Sequence, residues 1–217
     1  MPRAFEAGSP RLEETWPRRL EQKLSQYCWI TNCQGGRAIT AVPPILKTAV
    51  YYYRPALTLL SVGVVDCAYR ALAPGELAFV QKLPGPLARL IRRIVRSNHY
   101  RLTEARKIPY TGMDEFRQIL KEAAQFCAQI ATTLVYVPIL PPGAHMRETS
   151  YDIEANIERY NGIVAEILPP RQIVDLSEVR AEIDRFVLQD GHHLNALGHE
   201  KCADQICRSL SQLGFAA

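Results

Sequence analysis

The stretch DGHHLNALGH, residues 190–199, holds an aspartate and three of the chain's five histidines. Asp190 and His193 stand three residues apart, within reach of each other across one turn. A carboxylate so placed accepts the Nδ1 proton of the imidazole. Nε2 is then left free as a base, and the imidazolium is stabilised as it forms. Asn195 can cap the helix that follows and so fix the turn. In TNCQGGRAIT (31–40), Gly35 and Gly36 let a backbone amide approach a ligand closely, and such an amide is a candidate oxyanion donor. Two plainer readings stand beside this one. Asp190, His192, His193 and His199 could ligate a metal, although they lack the i, i+4 histidine pair of zinc helices. The segment could also be a polar helix entry without chemistry.

Positioning such groups requires a scaffold. Short apolar runs alternate with longer amphipathic ones. CWITNC (28–33), ALTLLSVGVVD (56–66), TTLVYVPIL (132–140) and QIVDL (172–176) read as strands. Apolar spacing predicts a helix from Trp16 behind Pro17, a short crossover helix in 42–53, and a helix carrying Phe116, Ile119, Ala123, Cys127 and Ile130. It predicts another over 150–167, capped by Ser150, and a last one over about 195–213. Alternation of this kind implies a single α/β domain over 1–217, irregular before residue 15, with a parallel sheet covered by helices on both faces. Ligands in such sheets bind beyond the carboxyl ends of the strands, where the glycine-bearing and histidine-bearing loops fall.

The rest of the composition mostly excludes. The net charge is only +4, no apolar run approaches a membrane span, and the N-terminus has no signal-like apolar core, so a cytoplasmic protein without a membrane span is expected. The six cysteines show no CxxC spacing and sit mostly in apolar stretches, against a zinc site or a disulfide framework. One local cluster stands out. In RLIRRIVRSNHYRLTEARK (89–107), Leu87, Leu90, Ile91, Ile94 and Val95 share a helical stripe, with Arg89, Arg92, Arg93 and Arg96 off it. A solvated helix face is the plain reading; an anionic ligand, a membrane surface or nucleic acid are the others.

D-x-x-H-L-N-x-x-G-H near the C-terminus resembles the last block of the SGNH, or GDSL, hydrolases. GVVDCA resembles their third block, NCQGGRAIT their second, and TWPRRLEQKL the helix that follows their first. IERYNGIVAEI is similar to their penultimate helix, which often carries a Tyr-Asn pair. The resemblance runs from about residue 14 onward. It implies an α/β/α sandwich with a flavodoxin-like parallel sheet, and hydrolysis of an acyl or acetyl ester, often on a carbohydrate, through an acyl-enzyme without metal or organic cofactor. It implies His193 as general base, Asp190 as its partner and Gly36 as oxyanion-hole amide. The implied partner is a small-molecule or carbohydrate ester, not nucleic acid.

Two departures qualify it. Val65 stands where the family usually has an asparagine that donates to the oxyanion, a donor worth about 3–4 kcal/mol. Asp66 and Arg70 follow: Arg70 could supply a replacement charge, and Asp66 could contact substrate or simply order its loop. The chain also lacks Gly-Asp-Ser; Ser9, followed by Pro10 and preceded by no apolar strand, fits the nucleophile poorly. The expectation is that the first strand and its serine lie upstream, with Met1-Pro2-Arg3 in the loop after them. The alternative is a non-catalytic glycan- or ester-binding module on the same fold.

Overall fold

Side-chain alternation along two short strands sets the architecture. In the computed structural model, which describes residues 9–215, β1 (Leu57–Leu60) runs parallel to β4 (Thr133–Tyr136), in register from Leu57↔Thr133 to Leu60↔Tyr136. A third parallel segment joins through the bridge Tyr136↔Ile173. Leu60, Leu134 and Tyr136 point into one apolar cluster, and Leu57, Leu59, Val135 and Val137 into another. A sheet greasy on both faces must be covered on both, which gives three layers.

The first covering layer contains α2 (Val42–Ile45), which continues through a π-turn into α3 (Tyr51–Tyr53), together with α8 (Met113–Gln129) and α10 (Ile153–Ile167). In α8 the fully buried positions Phe116, Leu120, Ala123 and Cys127 repeat at helical spacing, and Asp114 and Glu115 occupy the first turn, where acids suit the helix dipole. The second layer contains α1 (Trp16–Lys23), α11 (Ser177–Ala181), α12 (Ile183–Phe186) and α13 (Ala196–Gln212). Each fully buried leucine or isoleucine, such as Leu120 or Ile206, contributes about 1.5–3 kcal/mol by leaving water. Cys67, Cys127 and Cys202 are buried free thiols, and burial pushes their pKa values up to about 12, 11 and 12. They behave as small apolar residues, as their setting in the sequence implied.

Between β1 and α8 the chain makes a helical excursion. After α4 (Val64–Cys67) it leaves through β2 (Tyr69–Arg70), forms α5 (Pro74–Lys82), α6 (Gly85–Ser97) and α7 (His99–Arg106), and returns through β3 (Ile108–Pro109), antiparallel to β2. The short helix α9 (Ala144–Thr149) follows β4.

Several expectations need correction. Residues 28–33 form no strand; they are coil, and mostly exposed. No described strand lies beside them to complete a ladder, and side-chain contacts hold them to α1 instead: Trp29 Nε1 donates to Leu24 O, and Thr31 Oγ1 to Glu21 Oε1. The 172–176 run shrinks to one bridge, Tyr136↔Ile173, because Pro138, next in line on the partner segment, has no N–H to extend the ladder. The 56–66 run ends at Leu60, since Gly63 turns the chain with φ 120°. The residue before α10 is Asp152, not Ser150, because 144–149 already coil into α9. On α6 only Ala88, Ile91 and Val95 turn inward; Leu87, Leu90 and Ile94 do not. Met1-Pro2-Arg3 lies outside the described residues.

Candidate active site

The turn before α13 builds itself from local hydrogen bonds. Asp190 Oδ1 accepts the backbone N–H groups of His192 and His193, each at 3.0 Å, and Oδ2 meets His193 Nδ1 at 2.6 Å. Partial burial raises the pKa of this carboxyl, but the backbone donors of His192 and His193 and then the His193 ring outweigh it and bring it down to about 2. Ionised Asp190 can only accept, so Nδ1 of His193 carries the proton and Nε2 is the basic nitrogen. The His193 side chain is 67% exposed and its Nε2 makes no hydrogen bond to a described residue, so the base faces outward. The His192 ring lies against it, tilted by 44°, with ring centroids 3.9 Å apart.

The turn is then anchored at both ends. Val187 bridges Leu194 antiparallel, and Leu188 N donates to His193 O at 2.7 Å. Asn195 caps α13 by accepting from Gly198 N at 2.9 Å, as its position suggested, and its Nδ2 donates to Arg185 O. On the other side Gly143 N donates to Gly191 O at 2.7 Å, which ties the turn to the loop after β4. The two glycines meet backbone to backbone: a Cβ on Gly143 would lie 3.0 Å from Gly191 Cα, and one on Gly191 would lie 2.7 Å from Met146 N. Asp184 fixes the same loop by accepting from Ala144 N and Arg147.

His199 is not a ligand but a clamp. Its Nδ1 accepts from Trp16 N at 3.2 Å, docking the start of α1 on α13. Burial first, then Arg19 and His193, bring its pKa down to about 4 from 6.5. Folding therefore favours the neutral ring, and this stabilisation, full above pH 6.5, is lost as pH falls toward 4. After solvent screening the loss is on the order of 2 kcal/mol. Urea unfolding at about pH 7 and about pH 4.5 should show this drop, and His199→Gln, whose amide oxygen can still accept from Trp16, should shrink it.

None of the remaining candidates is hydrogen-bonded to the pair. Asp66 is fully buried, and both its oxygens accept from Ile39 N, at 3.0 and 3.1 Å. Burial raises its pKa against the opposing effect of Thr111 and the Ile39 amide. Its carboxylate thus holds Ile39, at the end of the glycine-bearing loop, which is a different loop from its own. Gly36 sits on an exposed turn with φ 71° and makes no hydrogen bond to Asp190 or His193. The Arg70 guanidinium lies 3.2 Å over the Tyr110 ring, not at the histidine. Ser9 is half-buried coil with no hydrogen bond to His193. Two shallow grooves border the 173–181 and 180–185 segments, and neither includes Asp190 or His193.

The residues that hold the loops around the site do not announce themselves by type or spacing alone. Asn161 clamps Ile139 by accepting from its N–H and donating to its carbonyl, and Tyr160 hydroxyl donates to Thr111 O. The adjacent Tyr-Asn pair was the available signal. Asp190, His192 and His193 also offer donor atoms within 4.8 Å of one another, so the same turn has the donor set for a cation.

No family model matches the chain, and no curated protein matches it. Solved structures do. A catalytic mutant of Axe2, an acetylxylan esterase from Geobacillus stearothermophilus, superposes with TM-score 0.61 at 11% identity, covering 95% of this chain and 89% of that one. LAE5, an alpha/beta hydrolase enzyme from the metagenome of Lake Arreo, Spain, gives 0.62 at 13%, covering 97% and 89%. TesA gives 0.59 at 12%, covering 96% and 94%. At such identity the likeness is one of fold: the three-layer sandwich is theirs.

Proposed function

We propose that a domain with this fold, shared with solved esterases, hydrolyses an acyl or acetyl ester, with His193 as general base oriented by Asp190. The observation that carries the proposal is the 2.6 Å contact between His193 Nδ1 and Asp190, with Nε2 turned outward. In this account Nε2 removes the proton of an attacking serine hydroxyl, and the alkoxide adds to the ester carbonyl. His193 then returns the proton to the departing alcohol, and water repeats the sequence to release the acid. The serine is supplied from outside residues 1–217, on a strand that pairs with the outer edge of β1. That edge supports the assignment: β1 pairs only with β4 among the described residues. The Gly36 amide, on the exposed glycine turn, serves as oxyanion donor.

A second reading, a binding module for a glycan or ester, is favoured by Val65, which offers no side-chain donor where the esterase needs one. Hydrolysis of p-nitrophenyl acetate by the chain and by a form extended upstream of Met1 separates the two. Turnover in the extended form alone, lost on His193→Ala, is the expected result. A folded, silent extended form that retains an ester ligand would favour the binding module.

A further inference from the structure

The excursion carries a surface that hydrolysis does not use. On α6, Ala88, Ile91 and Val95 turn toward the protein. Leu87, Leu90 and Ile94, at i, i+3 and i+7, share another stripe and are 44%, 54% and 52% exposed. The neighbouring α5 adds Leu77 and Phe79, 41% and 63% exposed. A stripe of three exposed large apolar side chains on α6 marks an interaction site.

Charge identifies the partner. Residues 77–103 contain Lys82, Arg89, Arg92, Arg93, Arg96 and Arg101, and no aspartate or glutamate. Most described arginines elsewhere pair with acids, as Arg117 does with Glu166, Arg147 with Asp184 and Arg180 with Glu158, while Arg11, Arg37, Arg54, Arg70 and Arg171 do not. None of the six cations at 77–103 pairs with a described carboxylate.

We propose that the α5–α6 hairpin docks on an anionic lipid bilayer, with the Leu87–Leu90–Ile94 stripe entering the headgroup region and the arginines meeting lipid phosphates. An amphipathic helix with a cationic polar face is built for that boundary. Nucleic acid would use the arginines but gains nothing from exposed leucines. A second copy would bring arginine rows against each other, and the one acid of the α5–α6 hairpin, Glu76, is already paired with Arg106. The hairpin also has a route to the histidine turn. His99 Nδ1, at the start of α7, bonds Thr149 O on α9, and Gly143, which precedes α9, bonds Gly191.

Cosedimentation of the chain with extruded vesicles tests this without any hydrolysis, so it stands or falls apart from the esterase reading. The expected result is sedimentation with phosphatidylcholine vesicles containing about one-third phosphatidylglycerol and none with phosphatidylcholine alone. Leu90→Gln with Ile94→Gln should cut the bound fraction at least about fivefold, with heparin retention and thermal melting unchanged. Arg92→Gln with Arg93→Gln should lower both vesicle binding and heparin retention. No binding to anionic vesicles overturns the proposal. So does binding indifferent to the Leu90 and Ile94 changes, which would mark a general polyanion site. A concentration-dependent dimer abolished by those changes would overturn it too, in favour of a second copy.

Discussion

Asp190→Asn in the upstream-extended protein is expected to lower kcat/KM for an activated ester by about 10³–10⁴-fold, with the fold intact. The asparagine oxygen can still accept the His192 and His193 backbone amides, so the turn survives. Its Nδ2 then faces His193 Nδ1, donor against donor. The ring must shift its proton to Nε2, and a protonated Nε2 is no base. His193→Ala, which deletes the base, should cost a similar factor, and the double variant little more than either single one, because the two residues act as one unit. Steady-state kinetics on the three variants checks this. Equal, additive losses would mean that Asp190 and His193 act independently.

The second large effect concerns stability. Gly191→Ala should destabilise the protein by on the order of 3 kcal/mol, or about 6–12 °C in Tm for a chain of this size. Gly191 has φ 76°, where an L side chain is strained, and the added Cβ would stand 2.7 Å from Met146 N and 3.2 Å from Gly143 O. Both are backbone atoms and cannot rotate away, so the loop after β4 must part from the histidine turn. Gly36→Ala is the control. It is also strained, at φ 71°, but nothing lies within 4 Å of its Cβ, so it should cost only about 1–2 kcal/mol. Calorimetry on both variants makes the comparison.

What was legible in the sequence was local. Asp190 and His193 are three residues apart, so their contact needs only the turn. The Asn195 cap is equally local. The buried spacing of α8, α10 and α13 follows from their apolar periodicity. What was hidden depends on distant partners. Gly143 and Gly191 are far apart in sequence, and nothing local to either one points to the other. Residues 28–33 have strand composition, but a strand exists only beside another, and here the side chains of α1 hold the segment. The α6 stripe looked continuous because Leu87, Leu90, Ile91, Ile94 and Val95 all suit an apolar face. Only the packing of the excursion divides them into buried and exposed.

A fluorophosphonate probe followed by peptide mapping tests the central claim most directly. One covalent adduct is expected in the upstream-extended protein, on a serine preceding residue 1 and dependent on His193, and none on residues 1–217. An adduct on Ser9 or any other residue of this chain, or no adduct on a folded extended protein, would contradict it.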